Sequence, residues 1–182
     1  MSEDILIQCG SPTLAGLKTG NLFSVAYSSR QQLLSDIRKL NHTLVPRGLC
    51  LLPMKLMRKR AVCYLFRPAL LERDLKNGDA RSILDQAGYR RGTMGQCLGE
   101  LIGRMRSGNE FPHEIGLFLS YPPEDVQGFI ENRASNCKCV GTWKVYGNEE
   151  EARKTFRRYR HCKEVYDRCW RCGTSFERLI VR

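Results

Sequence analysis

The sequence predicts an α+β fold in which helices surround a small, mainly antiparallel sheet of about three strands. The chain has 182 residues, of which 42% are hydrophobic and 27% charged, and this composition is typical of a packed globular protein. Short apolar runs on either side of a charged turn indicate paired strands, whereas apolar residues three or four positions apart indicate helices elsewhere. At this length we expect one domain over residues 1–182.

The N-terminal region predicts a loop followed by a helix. Residues 9–20 contain three glycines and a proline, and they predict a shaped entry loop ahead of the apolar run Asn21–Tyr27. Ser28 or Ser29 can cap a helix that runs to about Leu44.

The next segment predicts a β-hairpin. Two apolar runs, Leu49–Met57 and Ala61–Phe66, flank Arg58-Lys59-Arg60, which is the pattern of two strands joined by a charged turn. Pro53 cannot donate a ladder hydrogen bond, so it predicts that the first strand is irregular or lies at an edge. A third strand is expected at about Cys139–Tyr146. The helices predicted after the hairpin are Pro68–Lys76, Asp79–Ala87 with Gly88 as C-cap, Thr93–Arg106 with Thr93 as N-cap, His113–Ser120 after Pro112, Glu124–Asn132, and a long final helix capped by Asn148.

Three glycines recur every four residues in the helix predicted from Thr93. Each glycine inside a helix costs ~1 kcal/mol relative to alanine, so Gly95, Gly99 and Gly103 need a reason. We expect another helix or a flat ligand to approach the backbone there. Gly95 and Gly99 are therefore candidate ligand-binding residues.

Charge and cysteine content narrow the class of protein. The acidic first residues and the lack of an apolar run of ~20 residues predict a cytoplasmic protein without a membrane segment. Nine cysteines, an odd number, indicate free or metal-bound thiols rather than a disulfide framework. A net charge of +11 favours an acidic partner, which includes nucleic acid, an anionic small molecule or cofactor, and an acidic protein.

Four cysteines form a candidate metal site. Cys137, Cys139, Cys169 and Cys172 together offer four thiolates for zinc or an iron–sulfur cluster, with His161 as an alternative ligand. The first pair is separated by a single residue, unlike most zinc knuckles, so free cysteines remain the alternative. A redox pair at Cys169 and Cys172 is disfavoured, because low-pKa thiols of that type lie at helix N-termini and this pair ends a helix.

His113 and Glu114 are the candidate catalytic residues. A histidine after Pro112 can bind a metal or act as acid and base at neutral pH, with Glu114 adjusting it. The alternative is local chemistry at a helix start, where a glutamate favours the helix dipole.

Cys9, Lys18, Arg90 and Arg91 are candidate residues for binding an anion. Lys18 lies between two glycines, so backbone N–H groups and one ammonium can cradle a phosphate or carboxylate. The glycine spacing and the ending of a Walker loop are absent. A plain surface loop is the alternative.

Nucleic-acid binding is the competing hypothesis. Residues 83–101 have the outline of a helix-turn-helix, but the second helix carries glycines and apolar residues where base readout needs polar side chains. The final helix is amphipathic and strongly basic over residues 153–171. Such a face suits non-specific nucleic-acid binding or an acidic protein, or is simply solvated.

Several segments resemble one bacterial family. FPHEIGLFLSYPPEDVQGFIEN (Phe111–Asn132), GTWKVYG (Gly141–Gly147) and the following EEARKTFRRYRHC are similar to the family known as domain of unknown function 3793. SPTLAGLKTGNLFS (Ser11–Ser24) and AGYRRGTMGQCLGEL extend the resemblance over nearly the whole chain. It implies a setting in anaerobic, clostridia-like bacteria, with metal metabolism or a flavodoxin-like acidic redox partner. It implies no reaction, no cofactor and no catalytic residue.

Two functions therefore compete. In the first, the chain is a small cofactor- or anion-binding protein or enzyme of anaerobic redox or metal metabolism. Its pocket would combine the Cys9–Lys18 loop, the glycine-bearing helix and the His113–Glu114 start. In the second, it is a basic module that binds nucleic acid or an acidic protein without catalysis.

Overall fold

The structure, a computed structural model, describes residues 1–107 and 111–181. It confirms the α+β class, with helices accompanying a three-stranded antiparallel sheet. The strands are β1 (Gly20–Ala26), β2 (Cys50–Leu56), β3 (Arg60–Phe66), β4 (Cys139–Val140) and β5 (Lys144–Val145). The helices are α1 (Glu3–Leu14), α2 (Arg30–Leu44), α3 (Pro68–Leu75), α4 (Gly78–Gln86), α5 (Met94–Ser107), α6 (Ile115–Phe118), α7 (Pro123–Glu131) and α8 (Glu149–Arg171), and short 3-10 turns cover Val45–Arg47 and Phe176–Leu179.

The chain divides into two compact units. The first comprises residues 1–69 and 159–182, and the second comprises residues 70–158. The expectation of a single domain stays a prediction. Among helices in the described part of the chain, none combines the length and the apolar content needed to cross a membrane.

The first unit contains the main sheet, in the order β1-β3-β2 with β3 antiparallel to both neighbours. Since β1 and β2 run parallel and α2 connects them, this is a split β-α-β arrangement. The register shifts between Pro53 and Lys55 on the edge strand β2, which confirms the irregular edge predicted from Pro53. The core of this unit includes Leu6, Ile37, Leu51, Cys63, Leu65, Cys162 and Phe176.

The predicted entry loop is largely wrong. Residues 9–14 belong to α1, and the apolar run after the loop forms β1. Because Gly10 and Pro12 both disfavour a helix interior, the sequence did not predict that these residues belong to α1. Gly10 has a packing reason, because a Cβ atom there would lie 2.6 Å from Cδ2 of Leu65. The glycine lets α1 pack closely against β3.

The predicted third strand, Cys139–Tyr146, is also wrong in its extent. Its two ends pair with each other as β4 and β5 in a separate two-stranded sheet, and β1 is the third strand of the main sheet. The Asp125 carboxylate accepts hydrogen bonds from the backbone N–H groups of Tyr146 and Gly147, so these residues cannot extend a ladder.

Several helix ends follow the predicted capping residues. The Ser29 hydroxyl accepts a hydrogen bond from the Gln32 N–H, and the Asn148 side chain accepts one from the Glu151 N–H. Gly88 adopts φ of 80° after α4, as a C-capping glycine does. The helix predicted over residues 113–120 is reduced to the single turn of α6, since Ser120 at φ of 54° ends it before Pro122.

Candidate functional site

Two neighbouring pockets in the second unit border His113. We call the first the aromatic pocket, with a volume of about 480 Å³. We call the second the carboxylate pocket, with a volume of about 550 Å³. The aromatic pocket is lined chiefly by Phe111, His113, Tyr121, Phe129, Trp143 and Lys144. The carboxylate pocket is lined chiefly by Ile83, Arg104, Phe111, His113, Glu114 and Ile130.

Local packing places His113 between the pockets. The Pro112 and His113 carbonyls accept hydrogen bonds from the N–H groups of Ile115 and Gly116, which forms a turn ahead of α6. Helix α6 is buried, and Gly116 packs so closely against α7 that a Cβ atom there would lie 2.7 Å from Cγ2 of Val126. The buried helix holds the turn in place, while the His113 side chain stays exposed.

Ring contacts build the wall of the aromatic pocket. Tyr121 stacks on Trp143 with 4.9 Å between ring centroids, and Phe156 meets the same indole edge-on at 4.6 Å. The His113 ring lies 5.0 Å from the Phe129 ring in a tilted arrangement. Trp143 is only 8% exposed, so its position is fixed by packing.

The Asp125 carboxylate holds Trp143 in this wall by a hydrogen bond. Its Oδ2 accepts a hydrogen bond of 2.6 Å from the Trp143 indole N–H, and its Oδ1 accepts two of 2.7 Å from the N–H groups of Tyr146 and Gly147. The carboxylate is 2% exposed and has three donors. It therefore joins α7 to the β4–β5 hairpin.

Exposed apolar side chains surround the pockets. Phe111 is 51% exposed and lines both pockets, and Val140 is 69% exposed at the aromatic pocket. Ile130, 37% exposed, lines the carboxylate pocket. Apolar surface clustered at a concave opening is a common feature of binding sites.

One cation adds polarity to the aromatic pocket. Half-buried Lys144 donates a hydrogen bond of 2.6 Å to the carbonyl oxygen of Ala134. An ammonium has three donors, so Lys144 keeps capacity for a ligand. Tyr121 donates to the carbonyl of Thr142 at 3.3 Å, which fixes the other side of the opening.

A buried carboxylate characterises the other pocket. Glu114 is 7% exposed; its Oε1 accepts a hydrogen bond of 3.0 Å from the Tyr89 hydroxyl and lies 3.7 Å from the Arg104 guanidinium. Arg104 also covers the Tyr89 ring at 4.2 Å. Burial, followed by the nearby Glu114 charge, raises the pKa of Tyr89 far above its ordinary value, so this phenol stays a donor. Within the described residues no hydrogen bond reaches Glu114 Oε2, which leaves one carboxylate oxygen as an acceptor for a ligand.

The other predicted ligand residues of this unit lie on its surface. Arg90 and Arg91 are exposed, and Arg91 forms an ion pair with Asp85 at 3.2 Å. The expected approach of another helix to the glycines is wrong: among the described residues, an added Cβ atom meets nothing within 4 Å at Gly99 and Gly103. The approach of a flat ligand stays a prediction. At Gly95 the nearest atom is the Thr93 hydroxyl at 3.9 Å. These glycines lie on the exposed face of α5, because its apolar side chains occupy the opposite face.

Cys9 and Lys18 belong to the first unit. Lys18 is 6% exposed, donates a hydrogen bond of 2.7 Å to the Asn21 side chain and lies 5.9 Å from the centre of the Tyr159 ring. Burial lowers the pKa of Lys18 to about 8. The Cys9 carbonyl accepts a hydrogen bond from the Asn21 amide, and burial raises the pKa of the Cys9 thiol. Anion binding by these two residues stays a prediction.

The four-cysteine metal site likewise stays a prediction. Cys137 and Cys139 are half-buried in the second unit, whereas Cys169 and Cys172 lie in the first. Across residues 1–107 and 111–181, no group of three or more His, Cys, Asp or Glu side chains is placed to hold a metal ion. The structure therefore adds no support for this site.

Most of the aromatic pocket was not predicted from the sequence. His113 and Glu114 were predicted, but the rings around His113 and the contacts of Glu114 with Tyr89 and Arg104 were not. A usable signal was present, since six aromatic or imidazole rings fall between residues 111 and 143. Their convergence depends on the turn at Pro112 and on Asp125, which sequence spacing does not reveal.

Comparisons with known proteins identify a family and nothing finer. A family model described as a protein of unknown function (DUF3793) matches residues 6–180. Searches of curated proteins and of solved structures found no match.

Proposed function

Because the chain belongs to the DUF3793 family of proteins of unknown function, we propose a function from its own geometry. We infer that it is a small-ligand-binding protein whose aromatic pocket holds a planar aromatic molecule with an anionic group. This places it among the cofactor- or anion-binding proteins that the sequence favoured over a purely basic module.

The observation that carries the proposal is the composition of the aromatic pocket. A volume of about 480 Å³ lies in the range that accommodates small molecules and cofactors. Phe111, Tyr121 and Phe129 line it, and aromatic rings pack best against other flat rings, stacked or edge-on. A planar aromatic ligand gains more from such walls than an aliphatic one of equal size.

The anionic group of the ligand follows from charge. Lys144 is the cation that lines the aromatic pocket, and the Asp125 carboxylate already accepts hydrogen bonds from three donors. A carboxylate, sulfonate or phosphate near Lys144 would therefore gain a charge-assisted hydrogen bond. Flavins and porphyrins are planar aromatic molecules with anionic groups, and they fit the anaerobic redox setting that the resemblance implied.

We assign ligand contact to His113 and hydrogen-bond acceptance to Glu114. His113 borders both pockets, so its imidazole can touch a ligand in either one. Glu114 faces only the carboxylate pocket, where Tyr89 and Arg104 hold one of its oxygens. An acid–base role for this pair requires a ligand that spans both pockets.

The test is to isolate what the protein carries. The full chain is purified anaerobically without a metal-binding tag, and its absorption spectrum, metal content and small-molecule mass spectrum are recorded. We expect an aromatic chromophore that is retained by His161→Ala, an exposed control outside both pockets, and lost from Phe129→Ala. A chromophore retained equally by all variants would contradict the assignment of the pocket.

A further inference from the structure

Strand β1 lies at one edge of the main sheet, and its hydrogen bonds to β3 follow a regular alternation. Among the residues that the structure describes, β1 pairs with β3 alone. The Tyr27 N–H donates to the Lys59 carbonyl at 3.1 Å, and the Arg67 N–H donates to the Thr19 carbonyl at 2.9 Å. The register between these two bonds is continuous. Because hydrogen-bonded pairs alternate in an antiparallel ladder, the odd-numbered residues of β1 bond to β3.

The even-numbered residues of β1 therefore direct their backbone N–H and C=O groups away from β3. Gly20 is buried, Leu22 is half-buried, and Ser24 and Ala26 are exposed. Within residues 1–107 and 111–181, no hydrogen bond reaches the backbone groups of Leu22, Ser24 or Ala26. We call these three residues the open edge, since their backbone groups can still pair with another strand.

The opposite edge of the sheet, on β2, is blocked. The Asn41 side chain donates to the Leu51 carbonyl and accepts from the Leu51 N–H, both at 2.9 Å, so it takes the place of a neighbouring strand. Farther along β2, Pro53 has no N–H, the register shifts between Pro53 and Lys55, and Lys55 adds a charge. Proline, bulges and lysine are common means by which proteins prevent strand pairing at a sheet edge.

Strand β1 has none of these blocking features. Its sequence, GNLFSVA, contains no proline and no charged residue, and its register with β3 is regular. An uncharged and regular edge of this kind readily accepts an added strand, because backbone hydrogen bonds supply the affinity. The sheet is thus blocked on β2 and open on β1.

We propose that the open edge pairs with the open edge of a second copy of this chain, antiparallel and about a two-fold axis at Ser24. In this register Ser24 lies opposite Ser24 of the second copy, and Leu22 lies opposite Ala26. Each pair exchanges two backbone hydrogen bonds, so every outward group of the open edge gains a partner. The two main sheets then form one continuous sheet.

The register follows from burial and from the alternation of side chains. Because Gly20 is buried, the accessible outward residues are centred on Ser24. Phe23 and Val25 point to the opposite face and belong to the core of the first unit, and the register places Phe23 of each copy opposite Val25 of the other. An aromatic residue opposite a β-branched one is a favourable cross-strand pair. A shift by one residue would set outward groups against residues that already bond to β3.

Charge favours the antiparallel direction. Arg60 pairs with Ala26, and Lys59 binds Tyr27, so both cations lie at the same end of β1. In the proposed register the two Ala26 residues lie four positions apart along the strands, roughly 13 Å. That distance exceeds the Debye length of ~8 Å at physiological salt. A parallel pair would bring the like charges side by side.

A second copy fits the open edge better than an extended segment of another protein does. An antiparallel edge is its own complement about a two-fold axis, so identical copies satisfy each other in a closed dimer. The joined sheet then has a blocked β2 strand at each of its outer edges, whereas an added foreign strand would present a new edge of its own. The pairing is independent of the ligand in the aromatic pocket, because no residue of the open edge lines that pocket.

The test is sedimentation equilibrium of the full chain over a wide range of concentration. Ser24→Lys and Ser24→Glu each place like charges opposite each other at the two-fold axis. Ser175→Lys is the matched control, because it adds the same charge at an exposed position of the first unit outside the sheet. Circular dichroism checks that all variants remain folded.

Wild type should rise from 20.9 kDa toward twice that mass as concentration increases. Each Ser24 variant alone should dimerise at least tenfold more weakly, whereas Ser175→Lys should match wild type. An equimolar mixture of Ser24→Lys and Ser24→Glu should recover the dimer, since opposite charges then meet at the axis. Because each copy carries a net charge of +11, added salt should strengthen the wild-type dimer.

The proposal is overturned if wild type stays at 20.9 kDa throughout, and the open edge is then left to an extended segment of another protein. It is also overturned if Ser175→Lys weakens the dimer as much as Ser24→Lys, or if the mixture of Ser24 variants stays monomeric. Hydrogen exchange locates the contact: the amides of Leu22, Ser24 and Ala26 should be protected at high concentration and exchange faster on dilution. Dimerisation that leaves the exchange of these amides unchanged would place the interface elsewhere and contradict the pairing.

Discussion

The indole N–H of Trp143 donates a hydrogen bond of 2.6 Å to the carboxylate of Asp125, 18 residues earlier in the chain. Because the same carboxylate also binds two backbone N–H groups, it decides where the β4–β5 hairpin lies against α7. The aromatic wall of the candidate site depends on this one acidic side chain.

Replacing Asp125 by Asn should destabilise the protein. An amide NH₂ cannot accept a hydrogen bond, so at least one buried donor loses its partner, at a cost of about 1–3 kcal/mol. Urea unfolding measures the change. Glu131→Gln, an exposed position on the same helix, is the control and should stay within about 0.5 kcal/mol of wild type. A similar effect of the two substitutions would contradict the anchoring role of Asp125.

Two glycine substitutions should act in opposite directions. At Gly116 a new Cβ atom would lie 2.7 Å from Val126, so Gly116→Ala overpacks the α6–α7 contact and costs about 1–3 kcal/mol. At Gly99 an added Cβ atom would meet nothing within 4 Å among the residues that the structure describes, so Gly99→Ala should add about 0.5–1 kcal/mol of helix stability. Thermal unfolding with calorimetric enthalpies measures both. A destabilising Gly99→Ala would mean that something does pack against the glycine face of α5.

Local chemistry explains what the sequence predicted well. The N-caps at Ser29 and Asn148, the C-capping Gly88 and the irregular strand around Pro53 each depend on a few adjacent residues. Such features are set by short-range hydrogen bonding and backbone freedom, which composition and spacing report directly.

The errors arose where distant residues decide the structure. The helix containing Pro12 is stable because Gly10 allows close packing on Leu65, which no local pattern indicates. The composition of the segment Cys139–Tyr146 is typical of a strand. In the structure, however, the Tyr146 and Gly147 N–H groups donate hydrogen bonds to the distant Asp125 carboxylate. For the same reason His113 was found from its position after Pro112, whereas the rings that converge on it were not.

The buried amine of Lys18 should make stability depend on pH. Burial lowers its folded-state pKa to about 8 from 10.5, so between these values the unfolded chain binds the proton more strongly. The free energy of unfolding therefore rises with pH across this window, by at most about 3 kcal/mol from this group. Lys18→Met removes the contribution. The measurement is the difference between wild type and Lys18→Met in urea unfolding at several pH values; a difference that does not change with pH would contradict the burial effect.

Thiol reactivity should follow burial. Burial raises the pKa of both Cys63 and Cys162 to about 11, so neither forms much thiolate at pH 8. Cys172 is exposed. Iodoacetamide labelling followed by peptide mass spectrometry should modify Cys172 in the native protein and reach Cys63 and Cys162 only in urea. Labelling of Cys63 at the rate of Cys172 would show that the first unit opens readily.

The most direct test of the proposed function uses Trp143 as the reporter. In a Trp170→Phe background Trp143 is the one remaining tryptophan, and it lies in the wall of the aromatic pocket. Titration with anilinonaphthalene sulfonate and with flavin mononucleotide should quench its fluorescence saturably, and His113→Ala or Phe129→Ala should weaken the affinity about tenfold or more, equivalent to about 1.4 kcal/mol. His161→Ala should leave the affinity unchanged. The proposed ligand site would be contradicted if binding left Trp143 fluorescence unchanged, or if neither His113→Ala nor Phe129→Ala changed the affinity.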